Sequence, residues 1–235
     1  MSASLSLIDL AAAAWFLFCW LAYTYWADLR AERGLASTMA SYRRLWTLGM
    51  LERENRMVDV MIIGHLMGSV SFFASTSLVV VGGLAAVLGS RVQAMNVLRE
   101  LPFVPETPAL LWDLKVLLLV VIFVYAFFKF TWAFRHYNYC LILLGTVPNP
   151  DQVEPAHADT AERLAVIATS TGKHFNRGIR AYYFGLGALS WFIHPLLFIA
   201  VSAAVVLILE RREFRSRLLA TLGDPTQLPP GPTLG

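Results

Sequence analysis

Four long apolar stretches dominate the pattern along the chain: about Leu5 to Trp26, Ile62 to Leu88 with a polar-tinged lead-in from Met57, Leu110 to Trp132, and Ala181 to Leu209. Each reaches the roughly 20 predominantly apolar residues that a helix needs to cross about 30 Å of hydrocarbon. The second and fourth exceed that minimum and are expected to tilt or to extend past the bilayer. Between them, Leu35, Met39, Tyr42 and Trp46 recur at helical spacing beside Arg43 and Arg44. That pattern suits a helix lying in the membrane interface with its apolar face down, or equally a water-exposed extension packed on the bundle. Ala161, Leu164, Ala165 and Ala168 form a weaker stripe after the turn signal Val147-Pro148-Asn149-Pro150. The pattern predicts an all-α integral membrane bundle of four transmembrane helices with interfacial amphipathic helices. It forms a single domain over residues 1–222, followed by a disordered tail at 223–235.

Composition sharpens this picture. The 235 residues are 57% hydrophobic and only 15% charged, against about 25% charged in an ordinary soluble domain. A disordered polar chain is excluded and a water-soluble globule is disfavoured. Residues 1–27 contain no Lys or Arg, so the basic start of a cleavable signal peptide is missing and the first span reads as a retained helix. Cys19 and Cys140 both lie in apolar surroundings, which implies no disulfide framework.

The basic residues orient the chain. Arg30, Arg33, Arg43, Arg44, Arg53 and Arg56 follow the first span, and Arg135, Arg163, Lys173, Arg177 and Arg180 follow the third. Against these eleven stand Arg91 and Arg99 after the second span, and Arg211, Arg212, Arg215 and Arg217 after the fourth. The positive-inside rule places the eleven in the cytoplasm and both termini outside, with a bacterial cytoplasmic membrane as the expected location. A tail this rich in arginine also fits an alternative in which one apolar stretch does not span. The net charge of +3 then reflects orienting arginines, and no nucleic-acid partner is expected.

Ionisable groups inside spans cost about 2.5–3.5 kcal/mol each on insertion scales and so require a partner, a water path or an edge position. At one face Asp9, Asp113 and Lys115 start their spans. They read as edge charges snorkelling to water, or as a Lys115 to Asp9 pair between helices. The other face is richer, because the lone carboxylate Asp59 lies at the level of Lys129, Arg135, His136, Arg177 and Arg180. Tyr125, Lys129, Trp132, His136 and Tyr139 share one helical face. The candidate ligand-binding set is Asp59, Lys129, Trp132, Arg135, His136 and Arg180. A stripe mixing rings and cations suits an anionic headgroup, a small anion or a partner protein, or simply an aromatic belt with snorkelling cations.

His65 and His136 lie at comparable depth on different spans, the arrangement that bis-imidazole haem ligation needs. They are weak metal candidates, and no cofactor or clustered metal site is expected. His194-Pro195 reads as a helix kink. Gly64, Gly68, Ser71, Ser75 and Gly82 form a small-residue stripe on the second helix, and Gly178 and Gly185 another on the fourth. Such stripes allow close helix packing, within the chain or between protomers. No dinucleotide, P-loop, zinc-protease or serine-hydrolase signature is present, and no catalytic residue is assigned.

The strings RENRMVD at 53–59, FFASTS at 72–77, AFFKFTW at 126–132, RHYNY at 135–139, FNRGIRAYYF at 175–184 and RREFRSR at 211–217 carry a resemblance. Over roughly residues 5–220 the chain resembles a family of four-span membrane proteins of bacteria and plants, the domain of unknown function 599. The resemblance implies a four-helix membrane protein and brings no activity, substrate or cofactor. His65 stands where that pattern leads one to expect asparagine, which lowers the haem reading.

The expected function is a non-enzymatic accessory, scaffold or assembly component. It would act in the bilayer through helix packing and its basic-aromatic inner face, with a membrane protein or a second copy as partner. An oligomeric transporter or binder of a small anionic solute or lipid is the alternative, and a haem-binding redox protein a weaker one.

Overall fold

The computed structural model describes residues 6–31, 34–99, 108–155 and 157–223. All regular structure among them is helical: α1 (Leu7–Leu29), α2 (Leu35–Gly49), α3 (Met57–Gly89), α4 (Arg91–Arg99), α5 (Ala109–Gly145), α6 (His157–Ala188), α7 (Pro195–Phe214) and α8 (Arg217–Leu222). Helices α1, α3 and α5 are long and apolar enough to cross a membrane. The expected tail at 223–235 lies outside the described residues apart from Gly223.

Two expected boundaries move, each for a physical reason. Helix α5 continues thirteen residues beyond Trp132, because Ala133, Tyr137, Cys140 and Leu144 supply a buried face at helical spacing after the apolar run has ended. The expected fourth span is interrupted. Helix α6 stops at Ala188, a 3₁₀ turn covers Leu189–Phe192, and α7 starts afresh at Pro195. Proline has no N–H to donate and its ring clashes with the preceding turn. The Ser190 hydroxyl takes the Gly187 carbonyl at 2.6 Å, and the backbone N–H of Leu196 donates to His194 Nδ1 at 3.1 Å. The break therefore brings its own capping groups.

The chain groups into two compact units. The first comprises Met1–Ala27, Phe72–Phe130 and Asn176–Leu209. Its core is aromatic. Phe16 packs on Phe198 at 4.9 Å and edge-on to Phe184 at 5.8 Å, while Trp191 stacks on Phe198 at 4.9 Å. Tyr182 is ringed by Phe73, Phe123 and Phe130, and its hydroxyl donates to the Phe73 carbonyl at 3.0 Å beside Ser77. Gly178 makes room for this cluster: a Cβ there would lie 2.6 Å from the Phe130 ring.

The second unit comprises Asp28–Ser71, Thr131–Phe175 and Glu210–Gly235. The buried stripe Ala161, Leu164, Ala165 and Ala168 of α6 contributes to it. Arg56 ties the start of α3 to the chain beyond α5, donating to the carbonyls of Val147 at 2.8 Å and Pro148 at 2.5 Å. Tyr42 on α2 donates its hydroxyl to the Leu222 carbonyl at the end of α8, at 2.7 Å, and Arg44 pairs with Glu162 at 2.7 Å. The apolar stripe of α2 is half-buried at Leu35, Tyr42 and Trp46.

Candidate functional site

The candidate residues divide between the units. Asp59, Trp132, Arg135 and His136 belong to the second, and Lys129 and Arg180 to the first.

In the second unit Asp59 sits in the first turn of α3 with no exposed surface. Its Oδ1 accepts from the Trp46 indole N–H at 2.7 Å and from Arg53. Its Oδ2 is buried with no partner among the described residues. Carboxylates are favoured at helix N-termini, where unpaired N–H groups and the helix dipole meet them. Asp59 thus joins α2, the loop after it and α3 at one point.

A second cluster lies along α5. Trp132 stacks with His174 of α6 at 6.5 Å and 24°, and His136 meets His174 edge-on at 5.1 Å. The Arg135 guanidinium lies 5.8 Å from the centroids of both Trp132 and Tyr139, and its Nε donates to the Tyr139 hydroxyl at 2.6 Å. His136 Nδ1 is buried without a hydrogen-bond partner among the described residues. Nearby on α2, burial lowers the pKa of Arg43 from its usual value. Its guanidinium covers Gly172, where a Cβ would come within 2.9 Å of it.

In the first unit Lys129 lies 5.0 Å from the Tyr125 ring, and the buried Arg180 lies 5.8 Å from that of Tyr23. A separate polar cluster occupies this unit. Asp9 and Lys115 are both buried, so neither snorkels, and Trp191 joins them. The Trp191 indole N–H donates to Asp9 Oδ1 at 2.9 Å, and Lys115 Nζ donates to the Trp191 carbonyl at 2.8 Å. Beside them lies a cavity of about 190 Å³ whose lining includes Asp9, Leu17, Leu114 and Trp191. Asp113 pairs instead with Arg91 at 2.8 Å.

His65 is exposed on α3, whereas the ring neighbours of His136 are Trp132, Tyr139 and His174. Among the described residues no group of three His, Cys, Asp or Glu side chains could hold a metal ion. The small-residue stripes also part company. Gly178 and Gly185 receive the rings of Phe130 and Phe123, while Gly64, Gly68 and Gly82 have open space where a Cβ would stand. Ser71 and Ser75 are likewise exposed.

Sequence reasoning missed Trp46, Arg53, His174 and Trp191. In the sequence Trp46 reads as part of an apolar stripe, and His174 falls outside every expected span. Arg53 was the most accessible of the four, six residues before Asp59 in the string RENRMVD.

Residues 11–218 match the family described as "Protein of unknown function, DUF599", and the chain belongs to that family. No curated protein and no solved structure matches it.

Proposed function

We propose that this DUF599 member is a non-enzymatic accessory or assembly component of a membrane, docking a transmembrane helix of a partner or of a second copy against α3. One observation carries the reading. The buried residues of α3 are Asp59, Ile63, Val70 and Ser77, which fall on one narrow strip. Gly64, Gly68, Ser71, Ser75 and Gly82 lie about 130° around the helix from that strip, open and without large side chains. Val79, on the same face, is 74% exposed. In lipid, helices associate by close backbone approach at small residues and by hydroxyl hydrogen bonds, since lipid tails give no hydrophobic drive between them.

Native mass spectrometry of protein extracted gently from its own membranes tests this. The wild type is expected to carry a second copy or a membrane partner. Gly68→Leu, whose Cβ has open space around it among the described residues, is expected to lose that species with unchanged thermal stability. A wild type that is strictly monomeric and free of partners overturns the reading. The finer location, a bacterial cytoplasmic membrane with the N-terminus outside, is part of the proposal and is supported by the distribution of Lys and Arg.

A further inference from the structure

We infer that Arg135, held between Trp132 and Tyr139, is a binding site for the phosphate of an anionic lipid headgroup, a role independent of docking on α3. Three observations converge on it.

The first is depth. A helix that begins crossing at Ala109 exhausts about 30 Å of hydrocarbon after roughly 20 residues, which places the headgroup layer just beyond Lys129. Trp132, about 5 Å further along the helix, is 48% exposed there, within reach of the long Arg135 side chain, and Trp concentrates at that layer.

The second is preorganisation. The guanidinium rests near both rings, and its Nε is committed to the Tyr139 hydroxyl. Trp132 is in turn backed by His174, which His136 meets edge-on. The flexible arginine stem is thereby restrained, and the terminal amino groups form no bond among the described residues. A fixed fork of N–H donors matches phosphate oxygens, which a lysine ammonium does not do.

The third is charge. Arg135 has no carboxylate within ion-pair distance among the described residues, whereas Arg44, Arg53 and Arg91 each have one. A neutral headgroup brings its own cation and leaves this charge uncompensated; a net-negative one balances it. Such a contact contributes about fivefold in binding per arginine near an anionic surface.

The test uses the full chain in detergent, with phosphatidylglycerol, phosphatidylcholine and inorganic phosphate as probes, and retained lipid read by native mass spectrometry. Phosphatidylglycerol is expected to be retained over phosphatidylcholine, and inorganic phosphate to leave it in place. Arg135→Gln is expected to cut that preference about fivefold, and Tyr139→Phe by less, both melting like the wild type. Equal retention of the two lipids, or a preference untouched by Arg135→Gln, overturns the assignment. Displacement of the lipid by inorganic phosphate overturns it as well, in favour of a free-anion site. If Arg135→Gln melts early, Tyr139→Phe decides: an unchanged preference in that variant counts against the site.

Discussion

Asp59, Asp9 and Lys115 are ionisable groups buried away from water, and each is tolerable only because of its neighbours. Asp59 has Arg53 as its cation and Trp46 as a neutral donor. Removing one member of a buried pair costs about 3–5 kcal/mol, because the survivor stays buried and uncompensated. Arg53 is partly exposed, so its side of the pair is discounted. Arg53→Met is expected to destabilise the protein by about 2–3 kcal/mol, read as a lowered melting temperature in detergent. Adding Asp59→Asn to that variant removes the stranded charge while keeping an acceptor for Trp46, and is expected to recover most of the loss. A double variant as unstable as the sum of the two singles rules out the pairing. Lys115 has a different task. Its ammonium takes the Trp191 carbonyl, which lies in the 3₁₀ turn between α6 and α7. Lys115→Met strands that carbonyl, so a loss of about 1–3 kcal/mol is expected.

At the scale of elements, glycine identity separates two uses of small residues. Gly178→Ala would drive a methyl group to 2.6 Å from the Phe130 ring, and overpacking of this kind costs about 1–3 kcal/mol. Gly64→Ala meets open space and is expected to leave the melting temperature unchanged or slightly raised, since alanine favours the helix by up to about 1 kcal/mol. Equal melting of the two variants would show that α6 does not pack on α5 at Gly178. The sequence alone could not separate these glycines, because both stripes have the same spacing; what differs is the ring of a residue 48 positions away in sequence. Helices α1, α3 and α5 were legible because an unbroken apolar run has one physical reading. The end of α5 and the break after Ala188 were not. Hydropathy falls after Trp132 while helical packing persists, and it stays high across Leu189–His194 while the helix stops. For the candidate site, depth along a span brought Asp59, Arg135 and His136 to notice. The partners that fix them, Trp46, Arg53 and His174, come from turns and helices that no apolar run marks.

For the whole molecule, the crossing of the membrane by the broken segment decides on which side the arginine-rich tail lies. Counted at 1.5 Å per residue, the final eight residues of α6 from Ala181 and the fifteen of α7 from Pro195 to Leu209 span about 12 Å and about 22 Å. Together they match the roughly 30 Å of hydrocarbon if the two pieces run on in one direction. Irregular backbone is tolerated at membrane depth only where protein satisfies its polar groups. Part of this break meets that condition. Ser190 covers the Gly187 carbonyl, Lys115 the Trp191 carbonyl and His194 the Leu196 N–H, and Ser190 and Trp191 are buried. The expected result is a fourth, broken crossing, with both chain ends on the same face. Protease-accessible tags fused to each end, probed in sealed right-side-out vesicles, are therefore expected to be cleaved together, whereas three crossings would leave one protected. Lys115→Met supplies the mechanistic control: if its ammonium is what lets the break sit in the membrane, the variant is expected to expose one tag less completely while α1, α3 and α5 remain inserted.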